Sequence, residues 1–563
     1  LFGKYQSKMD VVLAVKMYVS KMISDSGPGM KSLMMDKETT GVVSIVYAKS
    51  EILQKEVYLF ETIGATSRDS MKHMKVIVFV RPTKENVQYL CEELKHPRYG
   101  QYYLYFSHAL SKSDLKMLAE SDEHESVCDI REFFADFYPV DVHHFTLNLP
   151  KCSRHLTWNP SDLKRSCLGL TSVLLALKKC PMIRYQASSN MCQQLADAVK
   201  LLISREASLF DFRRSDTTPL LLILDRRDDA VTPLLNQWTY QAMTHELLGI
   251  KNGRVDLSKV PNVSQDLHEV VMSPLHDQFY HENLYKNFGE IGTSIKQLME
   301  EFQAKTKSQQ KVESIEDMKS FVENYPQFKK MSGTVAKHVT VVGELSRIVA
   351  KKNLLEISEC EQDISSQNDH SNAVQRVRSL LQLPGTSDID ALRLVALYSL
   401  RYETHPNNAT TSLTDQLTAR DSRRVISSLL KYGGSRTNAN DVPNAIAMTK
   451  KFFKGLKGVE NVYTQHVPKI KSLLEDLFKG RLRESEFPYA GSSVMSERPS
   501  DVIVFIVGGT TYEEVACVDS LNALNTGWRI VLGGTTIHNC SSFLDEVLSA
   551  TSINNLRSSS LTR

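Results

Sequence analysis

Acidic side chains follow a fully apolar segment in the stretch LLLILDRRDDAVTP, residues 220–233. Carboxylates placed just after a buried strand are a common way for a protein to hold Mg²⁺. Asp225, Asp228 and Asp229 are therefore candidate metal ligands. The alternative is a turn in which the same carboxylates cap a helix and pair with Arg226 and Arg227. No GxxxxGK[ST] phosphate-binding loop occurs in the sequence to complete a nucleotide site, which favours the structural interpretation.

A GGTT motif occurs twice, at Gly508–Thr511 and at Gly533–Thr536. Each copy follows a strand-like segment and precedes a helical pattern, so that its backbone N–H groups could hold a phosphate. Glycine also serves ordinary strand-to-helix turns, and no GxGxxG fingerprint accompanies the motif. The sequence also lacks GxSxG and HExxH motifs. We therefore expect no catalytic residues, no metal and no cofactor.

Two segments carry residue types that suit protein–protein binding. The stretch PLLNQWTYQAMTHELLG, residues 233–249, contains Trp238, and tryptophan is favoured as a binding anchor. Packing in a hydrophobic core is the alternative for the same side chain. The second segment is a long helical pattern after Pro326, whose apolar side could be core or could bind partner helices.

The elements that must position these residues begin with an α/β pattern over residues 9–148. Alternating strands and helices of this kind predict a parallel, doubly wound sheet. We predict strands at Met30–Asp36, Val42–Tyr47, Lys75–Val80 and Tyr102–Phe106, with helices at Val11–Ser24, Lys84–Leu94 and Asp114–Glu120.

From about residue 265 to 480 the strand signal nearly vanishes. Pro326 should break the helix between Ser314–Tyr325 and Gln327–Asp363, because proline lacks the N–H that an α-helix needs. An apolar row with helical spacing follows Pro326 and comprises Val335, Val339, Val342, Leu345 and Val349. This pattern predicts a helical hairpin.

The strand-like segments 501–509 and 528–534 lie close to the end of the chain. About 60 residues are marginal as a domain of their own. We therefore expect both strands to join the sheet that contains 219–225. The helical region 260–490 would then be an insertion. We also expect the Ser-rich tail at 549–563, after the second strand, to be disordered.

Composition excludes several classes of protein. The chain has 563 residues, of which 42% are hydrophobic, and a formal net charge of +3. A charge so close to zero gives no sign of a broad nucleic-acid-binding surface. No apolar run reaches the roughly 18–20 residues that span a bilayer, and the nine cysteines include no CxxC pair. We expect an intracellular, multidomain protein whose natural start is Met9.

Several long segments resemble the Sec/Munc-like (SM) family of syntaxin-binding proteins, and in particular its endosomal branch. The resemblance runs from Met9 to about Leu548 and is carried by LLILDRRDDAVTPLLNQWTYQAMTHELLGI, ENYPQFKKMSGTVAKHVTVVGELSR, GLKGVENVYTQH and VFIVGGTTYEE. It implies an arch of two parallel-sheet α/β domains and a mainly helical inserted domain. The implied bounds are 9–140 for domain 1, 141–256 and 490–563 for the two parts of domain 2, and 257–489 for domain 3, with the hairpin at 283–365.

The resemblance also implies a function without catalysis. The chain would bind a syntaxin-type (Qa) SNARE and promote assembly of SNARE helices, including an R-type SNARE, for vesicle fusion. It would be a cytoplasmic monomer that reaches endosomal and trans-Golgi membranes only through SNAREs. The competing hypothesis is a Mg²⁺-dependent nucleotide or sugar-phosphate enzyme that uses the Asp-rich and GGTT turns.

Three candidate sites follow from the resemblance. Trp238 would lie in the central cleft between domains. Pro326 would act as a hinge, and Val335, Val339, Val342 and Leu345 would form a surface for SNARE helices. The syntaxin N-terminal peptide would bind an outer pocket of domain 1 formed by Leu115, Leu118 and Ala119 on one helix and by Val127 and Ile130 on the next.

Overall fold

The structure is a computed structural model. It describes residues 9–65, 68–212, 217–309, 315–366, 369–418, 421–438, 465–491, 497–524 and 527–552, and at 307–309, 315–327 and 438 it describes the backbone. Most of the segment GLKGVENVYTQH, and residues 553–563 of the Ser-rich tail, lie outside these ranges.

Domain 1 is built on a five-stranded parallel sheet in the order β2-β1-β3-β4-β5. The second half of β3 is buried on both faces, as expected for a central parallel strand. The elements in chain order are α1 (Val11–Asp25), β1 (Lys31–Met35), α2 (Lys37–Val46), α3 (Lys49–Leu53), β2 (Val57–Thr62), β3 (Met71–Val80), α4 (Lys84–Lys95), β4 (Tyr99–Phe106), α5 (Lys112–Ser121) and β5 (Val127–Glu132).

The strand predicted at Val42–Tyr47 is wrong, because Val42–Val46 belong to helix α2. Asp36 and Thr39 form a capping box that starts this helix. The Asp36 carboxylate accepts from the Thr39 N–H at 2.8 Å, and the Thr39 hydroxyl accepts from the Asp36 N–H at 3.1 Å. This cap and the packing of Val42, Val43 and Val46 in the core outweigh the strand preference of the β-branched residues.

Domain 2 contains a six-stranded sheet in the order β10-β11-β14-β15-β7-β6. Strand β14 pairs in parallel with both β11 and β15, which confirms that the C-terminal strands complete the sheet of 219–225. The elements are β6 (Tyr138–Asp141), β7 (His144–Thr146), the short hairpin β8 (Ser153–Arg154) and β9 (Thr157–Trp158), α6 (Pro160–Ala176), β10 (Met182–Tyr185), α7 (Asn190–Arg205), β11 (Leu220–Asp225), and at the C-terminal end β14 (Asp501–Val507), α19 (Tyr512–Leu524), β15 (Arg529–Gly534) and α20 (Cys540–Thr551).

The inserted region is mainly helical and holds one small antiparallel hairpin, β12 (Arg254–Asp256) with β13 (Glu269–Val271). Its helices are α8 (Tyr240–Leu247), α9 (Gln278–Asn283), α10 (Phe288–Gln309), α11 (Ile315–Lys351), α12 (Leu354–Ser366), α13 (His370–Leu381), α14 (Asp388–Arg401), α15 (Thr410–Thr414), α16 (Ser422–Leu429), a π-helical turn at Leu430–Gly434, α17 (Ser435–Asn438) and α18 (Lys469–Phe478). Short 3₁₀ turns lie at Ala207–Phe210, Arg226–Asp228, Thr232–Leu234 and Gln265–Leu267.

The predicted break at Pro326 is wrong, since α11 is one continuous helix from Ile315 to Lys351. The predicted continuation to Asp363 is also wrong. The chain turns after Lys351 through Asn353, whose φ of 53° is left-handed, and α12 then begins at Leu354. Proline therefore lies inside the helix, and the real break follows 25 residues later, at the end of α11.

Two of the expected domain bounds cut through structural units, and a third separates a helix from the sheet on which it packs. Strand β6 spans the bound at 140 and pairs with β7 in the domain 2 sheet. The hairpin of β12 and β13 spans the bound at 256. Helix α18 precedes the bound at 489, yet its Ile470, Leu474 and Leu477 pack with the strands of the domain 2 sheet. Within the residues that the structure describes, no helix is long and apolar enough to cross a membrane.

Candidate partner-binding surfaces

The expected peptide pocket lies where α5 packs against one face of the domain 1 sheet. Ser111 starts α5, because its hydroxyl accepts from the Asp114 N–H at 3.1 Å. Leu118 is only 1% exposed and packs in the cluster that contains Val78, Leu90 and Leu104. Leu115 is 44% exposed, and Ala119 is exposed beside it. The three residues therefore divide into one core anchor and two that stay accessible.

Val127 and Ile130 lie on a strand and not on a helix, so that part of the prediction is wrong. They belong to β5, at the edge of the domain 1 sheet. Both are half-buried and pack against the same cluster as Leu118. Leu118, Val127 and Ile130 thus share one apolar cluster, with Leu118 on a helix and the other two on an edge strand.

Trp238 is a core residue in this structure and not an exposed anchor. Its side chain is 5% exposed, its Nε1–H donates to the Ser358 hydroxyl at 2.7 Å, and its ring lies 6.0 Å from the Phe288 ring. The indole ties the segment before α8 to α10 and α12. A partner cannot contact it without opening the core.

The apolar row on α11 changes environment along the helix. Val342, Leu345 and Val349 are buried in the core of the helical domain, and Val339 packs at its margin. Val335 is half-buried, one turn further towards the start of α11. Val342, Leu345 and Val349 are therefore core residues, whereas Val335, nearer the start of α11, is accessible to a partner.

The three aspartates after β11 are engaged by protein donors. Asp225 accepts from Arg227 Nη2 at 2.6 Å, Asp228 from Arg436 Nε at 2.6 Å, and Asp229 from the Thr232 hydroxyl at 2.7 Å. Burial tends to raise the pKa of Asp229, but Arg226 and other nearby cations lower it to about 2. This arrangement favours the interpretation of the turn as a structural junction.

The two GGTT turns lie side by side at the carboxyl edge of the domain 2 sheet. The Thr510 N–H donates to the Thr536 carbonyl at 2.9 Å, and the Thr511 N–H donates to the Glu514 carboxylate at 2.8 Å. A Cβ at Gly533 would lie 2.0 Å from the Phe145 ring, so close packing explains this glycine. The Thr510 and Thr511 N–H groups are therefore used within the protein and not free for a phosphate.

Sequence reasoning missed the buried ion pairs that join distant segments of the chain. Arg226 Nη2 donates to both carboxylate oxygens of Glu514 at 2.6 Å, which links the turn after β11 to α19. Arg393 in α14 forms an ion pair with Glu246, and its Nη1 lies 3.6 Å from a Glu361 oxygen. Burial raises the pKa of Glu361 to about 7. Arg226 and Glu514, and likewise Arg393 and Glu246, are more than 100 residues apart in the sequence, so no local pattern indicates these pairs.

Comparison with known proteins places this geometry in a family. The model of the Sec1 family matches residues 31–546. Vacuolar protein sorting-associated protein 45 of Mus musculus is 59% identical over 550 residues, which cover 96% of this chain and 96% of that protein. The protein of the same name from Saccharomyces cerevisiae is 39% identical over 545 residues, with 92% and 94% covered.

Solved structures agree with these relatives. The SM protein Vps45 in complex with the Qa SNARE Tlg2 (1-310) superposes with a TM-score of 0.90 at 46% identity, covering 96% of this chain and 98% of that one. The Unc18–syntaxin 1 complex from Monosiga brevicollis has a TM-score of 0.79 at 21% identity and supports the fold alone. The resemblance to the SM family is confirmed, and the chain belongs to the Sec1 family.

Proposed function

We propose that this chain binds a syntaxin-type (Qa) SNARE and promotes assembly of SNARE helices, including an R-type SNARE, for vesicle fusion in endosomal and trans-Golgi transport. The observation that carries the proposal is the near-complete match, at 46% identity, to an SM protein solved with a Qa SNARE. The protein acts as a cytoplasmic, monomeric binding protein without catalysis. It reaches membranes through its SNARE partners.

Two surfaces of the chain contribute to this function. The first is the outer pocket of domain 1, which we assign to the exposed Leu115 and Ala119 on α5 and to the half-buried Val127 and Ile130 on β5. It takes the N-terminal peptide of the Qa SNARE. The second is the segment from Pro326 to Val335, in the first part of helix α11 of the α10–α11 hairpin. It offers a helical surface to assembling SNAREs. Trp238 supports this hairpin from the core.

The test is calorimetric titration of the full chain with the cytosolic domain of an endosomal Qa SNARE. A second titration uses the same SNARE without its N-terminal peptide. We expect saturable binding in the first and weaker binding in the second. An absence of heat with several endosomal Qa SNAREs, confirmed by pull-down, would refute the proposal.

The competing enzyme hypothesis has its own test. Thermal melting of the chain with ATP, GTP or NAD plus Mg²⁺ should leave the melting temperature unchanged, since Asp225, Asp228 and Asp229 are bonded to protein donors. A saturable micromolar signal in calorimetry would favour the enzyme.

A further inference from the structure

Three consecutive residues, Leu275, His276 and Asp277, lie between domain 1 and the helical hairpin; we call them the bridging segment. Leu275 packs against the core cluster shared by domain 1 and one face of the domain 2 sheet. His276 Nδ1 lies 3.8 Å from a carboxylate oxygen of Glu51 in α3. Glu51 also accepts from Lys16 Nζ in α1 at 3.3 Å. One end of the segment is thus fixed to domain 1.

Asp277 fixes the other end to α11. One of its carboxylate oxygens starts α9 by accepting from the Tyr280 N–H at 3.0 Å. The other oxygen lies 2.9 Å from His338 Nε2 and also bonds to Lys337 Nζ. Both partners belong to α11, about midway along the helix. A single carboxylate therefore caps the start of α9 and bonds to the middle of α11.

His338 is completely buried, and both of its ring nitrogens have partners. Its Nδ1 lies 2.8 Å from the Tyr240 hydroxyl in α8, and the ring packs against Phe279 and Tyr280. Burial lowers the pKa of His338, so the neutral ring donates from Nε2 to Asp277 and accepts at Nδ1 from Tyr240. Burial tends to raise the pKa of Asp277, but His338 and Lys337 together hold it well below its ordinary value. The aspartate is therefore a charged and fully engaged link.

We propose that the bridging segment is a mechanical coupling between domain 1 and the hairpin, so that a change at α3 alters the stability of α11 around His338. Adjacent residues have Cα atoms about 3.8 Å apart, and His276 cannot follow domain 1 without moving Asp277. The coupling is a property of the free chain and goes beyond SNARE binding. Because coupling free energies are reciprocal, a change at α11 must also be felt at α3.

The experiment is amide hydrogen exchange of the full chain without partners. Glu51→Gln removes the charge that faces His276, and among the described side chains the titratable groups paired with Glu51 are Lys16 and His276, neither of which belongs to α11. Burial lowers the pKa of His276, so the ring that faces Glu51 is largely neutral. We expect exchange in residues 331–345 to rise about twofold, less than the loss of a full ion pair would give. The matched control is Glu120→Gln, which breaks an exposed Lys116–Glu120 pair of 3.5 Å elsewhere in domain 1 and should leave α11 unchanged.

The reverse arm uses Asp277→Asn. Asparagine still starts α9 as a helix cap, but it loses the charge that holds Lys337. Exchange should rise in residues 331–345 and, through the bridging segment, in residues 48–56 around α3. His276→Ala removes the same contact with Glu51 from the other partner and is therefore an independent test on the domain 1 side. If Asp277→Asn loosens α11 while Glu51→Gln and His276→Ala leave it unchanged, the aspartate only braces the helical domain and the coupling is refuted.

Discussion

Leu115 gives the sharpest test of the outer pocket of domain 1. It lies on the exposed side of α5, whereas Leu118, one turn later, is already buried in the core. Leu115→Ala therefore removes apolar surface that a bound peptide would cover, with little effect on the packing of domain 1. We expect weaker binding of the Qa SNARE N-terminal peptide and an unchanged fold.

The size of the effect follows from the exposed fraction of the side chain. Complete burial of a leucine contributes about 1.5–3 kcal/mol. Since 44% of Leu115 is still accessible, about 1 kcal/mol remains for a peptide to gain. That free energy corresponds to a roughly fivefold change in Kd. Leu115→Arg should weaken binding further, because the peptide would also have to desolvate a charge.

The assay is fluorescence polarisation of a labelled peptide from the N-terminus of the Qa SNARE. Met117→Ala is the matched control, since Met117 is also 44% exposed but points about 200° away around the helix. Leu118→Ala is the contrasting variant and should lower the free energy of unfolding by about 2–5 kcal/mol. Equal affinity for wild type and Leu115→Ala, or equal weakening by Met117→Ala, would refute the pocket.

Three further predictions concern the rest of the chain. Trp238→Phe removes the hydrogen bond to Ser358 from the core, so differential scanning calorimetry should show a loss of about 1–3 kcal/mol of stability, with Qa SNARE affinity unchanged; weaker binding at equal stability would restore Trp238 as a contact residue. Pro326→Ala restores a backbone donor inside α11, and we expect slower hydrogen exchange over 315–335 and tighter binding of a pre-assembled SNARE pair; equal values for both proteins would show that Pro326 has no hinge role. Glu546 lies in α20, and its carboxylate accepts from the Lys151 N–H. Burial raises the pKa of Glu546 from its ordinary 4.5 to about 7, so the stability that the protonated carboxyl contributes is present below about pH 4 and is lost as the pH rises through 7. The melting temperature of wild type should therefore fall relative to Glu546→Gln between about pH 5 and pH 8, and parallel curves would contradict the shift.

Much of the α/β architecture follows from local patterns. The wholly apolar stretches at 219–224 and 502–507 are typical of strands buried on both faces, and two such strands need neighbours. This requirement was enough to predict that β14 joins the sheet of β11. Strand β2 was not predicted because its pattern is unusual. Tyr58 and Phe60 lie on its outward face, where an edge strand normally has polar side chains, so apolar and polar residues do not alternate.

Tertiary contacts explain what local patterns missed. Val42–Val46 have the composition of a strand, but the capping box at Asp36 and burial against α1 make them helical. Val127 and Ile130 have spacing that suits a helix, yet Ile130 pairs with Leu104 in β4. For the candidate sites, the outer pocket of domain 1 stays a prediction, and the exposure of Leu115 and the burial of Trp238 depend on elements distant in the sequence.

The late completion of the domain 2 sheet has a consequence for biosynthesis. Strand β11 ends at Asp225, and its partner β14 begins at Asp501, after the whole helical domain. At a translation rate of about 5–20 residues per second, the apolar edge of β11 waits roughly 15–55 s for its neighbour. Through that interval the nascent chain presents an unpaired, hydrophobic strand edge to solvent. Production of this protein should therefore depend on chaperones that shield the edge during translation, and chains truncated before residue 501 should aggregate.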